Sequence, residues 1–152
     1  VMIPNDVANA PIFLTQGNHR GWAQVGLSRG YVSIVYPGGD TGDAAPMFQE
    51  AYRDSSTMML IVARAFVVSR VVDFLFEGWH ELKDVPDLNT SQICISGHSR
   101  NGKQSLIAAA FDERIAAVVG SSPGAPIASL YAFSSHNLYG EGPDAGVAGL
   151  WW

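Results

Sequence analysis

Residues 93–103, Ile93-Cys94-Ile95-Ser96-Gly97-His98-Ser99-Arg100-Asn101-Gly102-Lys103, constrain what this chain can fold into more than any other segment. A short apolar run reaches a glycine, a serine follows two residues later, and a helix-forming, alanine-rich stretch begins at once. A serine held on a tight strand-to-helix turn is the layout of a nucleophile elbow. Such a turn pushes the hydroxyl out of the backbone and lets the next amide face a developing oxyanion. The segment therefore demands a strand before Ser99 and a helix after it.

The flanking sequence supplies that alternation. Pro11-Ile12-Phe13-Leu14-Thr15 reads as a short buried strand, and Gln16-Gly17-Asn18-His19 as the turn that follows. Trp22, Val25 and Leu27 predict a short helix closed by Gly30. Tyr31 to Tyr36 is a β-rich run that ends in Pro37-Gly38-Gly39-Asp40, and 38–46 reads as an exposed loop. Ser55 can cap a long helix running to about Glu77, with Gly78 as its stop. Met59, Ile61, Val62, Phe66, Val71, Phe74 and Leu75 would form its broad apolar face. Gly78 to Thr90 reads as a connector, Asn101 to Phe111 as a helix, and Ile115 to Val119 as a last β-branched run. Strands at about 11–15, 31–36, 92–96 and 114–120, alternating with helices, imply a parallel sheet covered on both faces.

Composition narrows the class. Apolar residues make up 47% and charged residues 15%, which suits a folded domain and not a disordered chain. A net charge of −5 with no basic run argues against nucleic acid as a partner. The longest apolar region, Met58 to Phe76, is broken by Arg64, Arg70 and Asp73, so no membrane span is expected. Cys94 is the single cysteine and reads as a buried, inert thiol. No CxxC or HExxH spacing occurs, so neither a metal nor another cofactor is expected. The chain starts at Val1-Met2, close to a core strand, and stops at Trp151-Trp152; it reads as an internal piece of a longer protein.

Two readings of Ser99 stand at this point. In one it is a nucleophile; in the other it is a helix cap in a non-catalytic α/β domain. The local pattern departs from G-x-S-x-G, because Asn101 stands where the second glycine belongs and Gly102 arrives one position later. The strand and helix of an elbow approach closely there, so a small residue is expected.

The longer run Gly97-His98-Ser99-Arg100-Asn101-Gly102-Lys103 resembles the G-x-S-R-x-G-K signature of the glucuronoyl esterases, a carbohydrate-esterase branch of the α/β-hydrolase superfamily. The resemblance continues through Phe111-Asp112-Glu113-Arg114-Ile115-Ala116-Ala117-Val118-Val119 and covers most of 11–125. It implies a three-layer α/β-hydrolase core, with 1–152 a partial domain that lacks the C-terminal strands. It also implies that Ser99 is the nucleophile and that Arg100 supports the oxyanion. Lys103, one helical turn on, would reach the hydroxyls of a uronic acid. In that fold a second oxyanion N–H comes from the loop after an earlier strand, which makes Gln16 or Gly17 the candidate donor.

The acid and base are harder to place. Many members carry a glutamate near the position of Ser122, where this chain has Ser121-Ser122-Pro123 and no carboxylate. Glu141 and Asp144 are the nearby downstream carboxylates, and Glu141 reads as a candidate substrate contact. Chain order in the fold is nucleophile, acid, histidine. His136 is the one histidine after Ser99, in an irregular stretch, so the acid and base are expected beyond residue 152 and the piece alone should be inactive. The expectation is a serine esterase acting through an acyl-enzyme on a uronic-acid or related carbohydrate ester, small-molecule or polysaccharide. An acetyl esterase, a prolyl-peptidase-like hydrolase and a non-catalytic binding domain remain alternatives. The resemblance implies a secreted or periplasmic protein.

Overall fold

The computed structural model describes residues 1–37 and 60–123. Four strands, β1 (Ala10–Gln16), β2 (Val32–Tyr36), β3 (Leu88–His98) and β4 (Ala117–Ser121), alternate with three helices, α1 (Arg20–Ser28), α2 (Leu60–Glu77) and α3 (Arg100–Phe111). The strands form one parallel sheet in the order β2-β1-β3-β4. This is the expected α/β architecture.

The strand order dictates the layers. The connection from β1 through α1 to β2 runs toward one edge of the sheet, and those from β2 to β3 and from β3 to β4 run the other way. Right-handed crossovers then place α1 on one face and both α2 and α3 on the other. The side chains agree. Gly26 of α1 lies against Phe13 and Ser33, which point to one face. Ile12, Leu14, Val32, Ile34, Ile93 and Ile95 point to the other, where Ala65, Val68, Val72 and Leu75 of α2 and Ala108 of α3 cover them. The register aligns these rows, with Ile12 beside Val32 and Ile93, and Leu14 beside Ile34 and Ile95. Near the chain start, Met2 exchanges both backbone hydrogen bonds with Ser33 at 2.8 and 2.9 Å.

Arg114 closes the α2–α3 face. Its guanidinium forks onto Asp112 at 2.7 and 2.8 Å and reaches Asp73 of α2 at 2.8 Å. Hydrogen bonding to Arg114 holds the Asp112 carboxyl below the usual carboxylate range, against the opposing effect of burial.

Several details differ from expectation. The buried stripe of α2 is Ile61-Ala65-Val68-Val72-Leu75, whereas Phe74 is 44% exposed and edges onto Trp79. Because α2 packs on both the sheet and α3, its inward face is set by two neighbours at once. Strand β3 begins at Leu88 and not near 92, because Ala10 of β1 pairs with Leu88 across a register irregularity. The connector before it contains a 3₁₀ turn, Trp79–Glu81, with the indole Nε1 donating to the Pro86 carbonyl at 2.9 Å. Strand β4 starts three residues later than expected. A turn occupies 112–115, with Asp112 accepting from the Arg114 amide and the Ile115 amide donating to the Asp112 carbonyl. Cys94 is half-buried, not buried, although burial still pushes its thiol pKa up. Ser55 and the 38–46 loop lie outside the described residues. Among the described residues, no helix is long and apolar enough to cross a membrane.

Candidate active site

In a doubly wound sheet, ligands bind beyond the carboxyl ends of adjacent strands whose connections leave in opposite directions. Here those strands are β1 and β3. The segments that emerge there are a 3₁₀ turn after β1, Gly17–His19, and the turn at Ser99 after β3.

Ser99 has φ 55° and ψ −127°. That region is strained for any residue with a Cβ and persists where the surroundings impose it. Three constraints do so. The Ser99 N–H donates to the Ser121 carbonyl of β4 at 2.9 Å, and the Ser99 carbonyl accepts from the Lys103 amide at 3.0 Å to open α3. Glycines let strand and helix close up: a Cβ on Gly97 would meet the Asn101 carbonyl carbon at 2.5 Å, and one on Gly102 would lie 2.8 Å from the Gly97 carbonyl oxygen. The small residue required by the close approach is therefore Gly102, and Asn101 does not obstruct it. Ser99 is exposed and its hydroxyl makes no capping hydrogen bond. A serine that was merely a cap would be spent on that bond.

The neighbouring residues build the environment. The amide groups at the start of the 12-residue α3 and its dipole favour negative charge at this point. No acidic residue stands in its first turn. Arg100 is partly exposed, and Lys103 is only 3% exposed. His98 turns away toward β4, where its Nδ1 lies 3.2 Å from Ser121 Oγ. Its ring meets that of His19 edge-on at 6.4 Å, and His19 stacks on Trp22 at 4.7 Å.

Under these groups lies a polar network. Gln16 is fully buried, and its Nε2 donates to Tyr36 Oη at 2.7 Å and Ser105 Oγ at 3.1 Å, with the Asn101 carbonyl at 3.5 Å. Gln104 Nε2 approaches the same phenol at 3.3 Å. Burial pushes the Tyr36 hydroxyl pKa far up, more than the two amides lower it, so the phenol stays neutral. Buried polar groups cost free energy unless they are bonded to one another. Here most of them bond to one another, concentrated beneath the turn at Ser99.

Of the sequence-predicted residues, Ser99, Arg100 and Lys103 lie together at the start of α3, and Gln16 and Gly17 lie at the end of the neighbouring strand β1. The side chain of Gln16 is turned inward; Gly17 is exposed. Glu141, Asp144 and His136 fall outside the described residues. Sequence reading missed Tyr36, Gln104 and Ser105, and it treated Asn101 only as a departure from pattern. The available signal was the polar run Lys103-Gln104-Ser105 at positions where an inward-facing helix would carry apolar side chains.

Residues 6–145 match the family of fungal glucuronyl esterases. The chain belongs to this family. Among curated relatives, a 4-O-methyl-glucuronoyl methylesterase from Phanerochaete carnosa is 33% identical over 84 residues, covering 55% of this chain and 20% of that protein. One from Hypocrea jecorina is 33% identical over 89 residues, covering 59% and 18%. The matched part thus spans about a fifth of the length of these relatives. A carbohydrate esterase family 15 glucuronoyl esterase from Caldicellulosiruptor kristjansonii superposes with a TM-score of 0.63 at 22% identity, covering 81% of this chain and 37% of that one. A promiscuous CE15 esterase from a marine bacterial metagenome gives 0.52 at 21% identity, covering 74% and 40%. Both show the same α/β fold.

Proposed function

We propose that the protein containing this chain hydrolyses carboxylic esters of a uronic acid or a related carbohydrate, with Ser99 as the nucleophile. The observation that carries the reading is the strained backbone of Ser99, whose exposed hydroxyl caps nothing. Support comes from the family match and from relatives that bear the name of glucuronoyl methylesterases.

In the proposed reaction Ser99 Oγ attacks the ester carbonyl carbon, and its proton passes to a histidine base. The carbonyl oxygen becomes an oxyanion that faces the Arg100 N–H and the amides at the start of α3. Collapse of this intermediate expels the alcohol, which takes the proton, and leaves an acyl-serine. Water then attacks the acyl-serine and releases the uronic acid. Donors fixed where negative charge develops lower the barrier because they bind the transition state more strongly than the ester. Gly17 is the proposed second donor, and Lys103 the proposed partner of sugar hydroxyls. Among the described residues no histidine follows Ser99, and we assign the base and its carboxylate to chain beyond residue 152.

The test is hydrolysis of a glucuronate ester by the full-length protein. Wild type should turn the ester over, and Ser99→Ala should lose at least about a thousandfold in kcat. Full activity in the alanine variant would overturn the mechanism.

A further inference from the structure

Asn101 sits where an elbow ordinarily carries a small residue. Its backbone occupies the tight contact with Gly97, but its side chain, within a residue 2% exposed, leaves sideways for the turn after β1. There Nδ2 lies 2.8 Å from Asn18 Oδ1 and 3.5 Å from His19 Nδ1.

The two contacts are not equal. Gln16 donates through Nε2 to Tyr36 and Ser105, which leaves its Oε1 to accept from His19 Nδ1 at 3.3 Å. On this hydrogen-bond assignment His19 carries its proton on Nδ1 and cannot also accept from Asn101 there. The bond from Asn101 therefore goes to Asn18. Among the described residues, Asn101 Oδ1 is buried without a hydrogen-bond partner. Burying that oxygen unbonded costs stability, so packing alone is a poor account of an asparagine at this position.

Building on the acyl-serine reading above, we infer that Asn101 is a positioning residue that ties the two halves of the oxyanion site together. One half is the start of α3, and the other is the Gly17–His19 turn. The two are 83 positions apart in sequence at the Asn101–Asn18 bond, and this side-chain bridge fixes the turn against the helix. A donor displaced by an ångström loses much of its effect on the transition state.

The experiment uses the full-length protein and a soluble glucuronate ester, with fluorophosphonate labelling of Ser99 as an independent readout. Asn18 is exposed, so its variants do not threaten the core. Asn18→Ala should lower kcat about 10- to 100-fold with KM nearly unchanged and the unfolding midpoint unmoved. Asn18→Asp keeps an acceptor for Asn101 Nδ2 and should restore most of kcat. Asn101→Ala combined with Asn18→Ala should lose no more than the worse single variant. Wild-type kcat in Asn18→Ala, or losses that multiply in the double variant, would overturn the bridge. A wild-type protein that neither cleaves the ester nor takes the label at Ser99 would overturn the acyl-serine reading, and the bridge with it. A Ser99-dependent enzyme indifferent to Asn18→Ala would overturn the bridge alone.

Discussion

Gly97 and Gly102 face each other so closely that a Cβ on Gly102 would lie 2.8 Å from the Gly97 carbonyl oxygen and 3.1 Å from that of Ser121. Both obstacles are backbone atoms, which cannot move aside as a side-chain tip can. Gly102→Ala should therefore cost about 1–3 kcal/mol in urea denaturation, the usual penalty for overpacking. Gly21 is a control within a helix. A Cβ there meets nothing within 4 Å, so Gly21→Ala should stabilise by up to about 1 kcal/mol.

The backbone of Ser99 makes a prediction of opposite sign to its chemistry. At φ 55° and ψ −127°, glycine is less strained than any residue with a Cβ. Ser99→Gly should be about 1 kcal/mol more stable than Ser99→Ala, although both remove the hydroxyl. Equal unfolding midpoints for the two variants would mean that the elbow holds no strain.

Asp112 links stability to pH. Its pKa is lowered in the folded protein, chiefly by hydrogen bonding to Arg114. Its contribution is thus fully present above the unfolded value of about 4 and is lost as pH falls through the lower folded value. Asp112→Asn should cost about 1–2 kcal/mol at neutral pH, a hydrogen-bonded charge pair being worth little more when its arginine is a third exposed. The variant should also have a shallower fall in stability as the pH drops below about 4. Urea titrations at a series of pH values would show both effects.

Substituting Lys103 should separate substrate classes. Lys103→Met keeps the aliphatic stem, which matters for a residue only 3% exposed. If the ammonium contacts uronate hydroxyls, KM for a glucuronate ester should rise about tenfold, a loss of roughly 1.4 kcal/mol. A neutral acetyl ester should be nearly unaffected. Equal losses on both substrates would assign Lys103 to the framework and not to recognition.

The sheet was legible because strands buried on both faces must be continuous apolar runs, and Ile12-Phe13-Leu14 and Ile93-Cys94-Ile95 are such runs. The elbow was legible because its geometry restricts which residues can stand at Gly97, Ser99 and Gly102. Side-chain direction was not. Whether Asn101 obstructs the turn or bridges to Asn18 depends on β1 lying beside β3, a pairing no local pattern encodes. Gln16 looked like part of a turn, since polar residues at strand ends usually are; its burial against Tyr36 follows only from the parallel register of β1 and β2. The inward face of α2 was misjudged at Phe74 because periodicity cannot tell one packing partner from two.

The most direct measurement is to treat the folded full-length protein with a fluorophosphonate and locate the adduct by peptide mass spectrometry. The acyl-serine mechanism predicts a single stoichiometric adduct on the peptide containing Ser99, absent from Ser99→Ala. No adduct, or an adduct on a different serine, would contradict it.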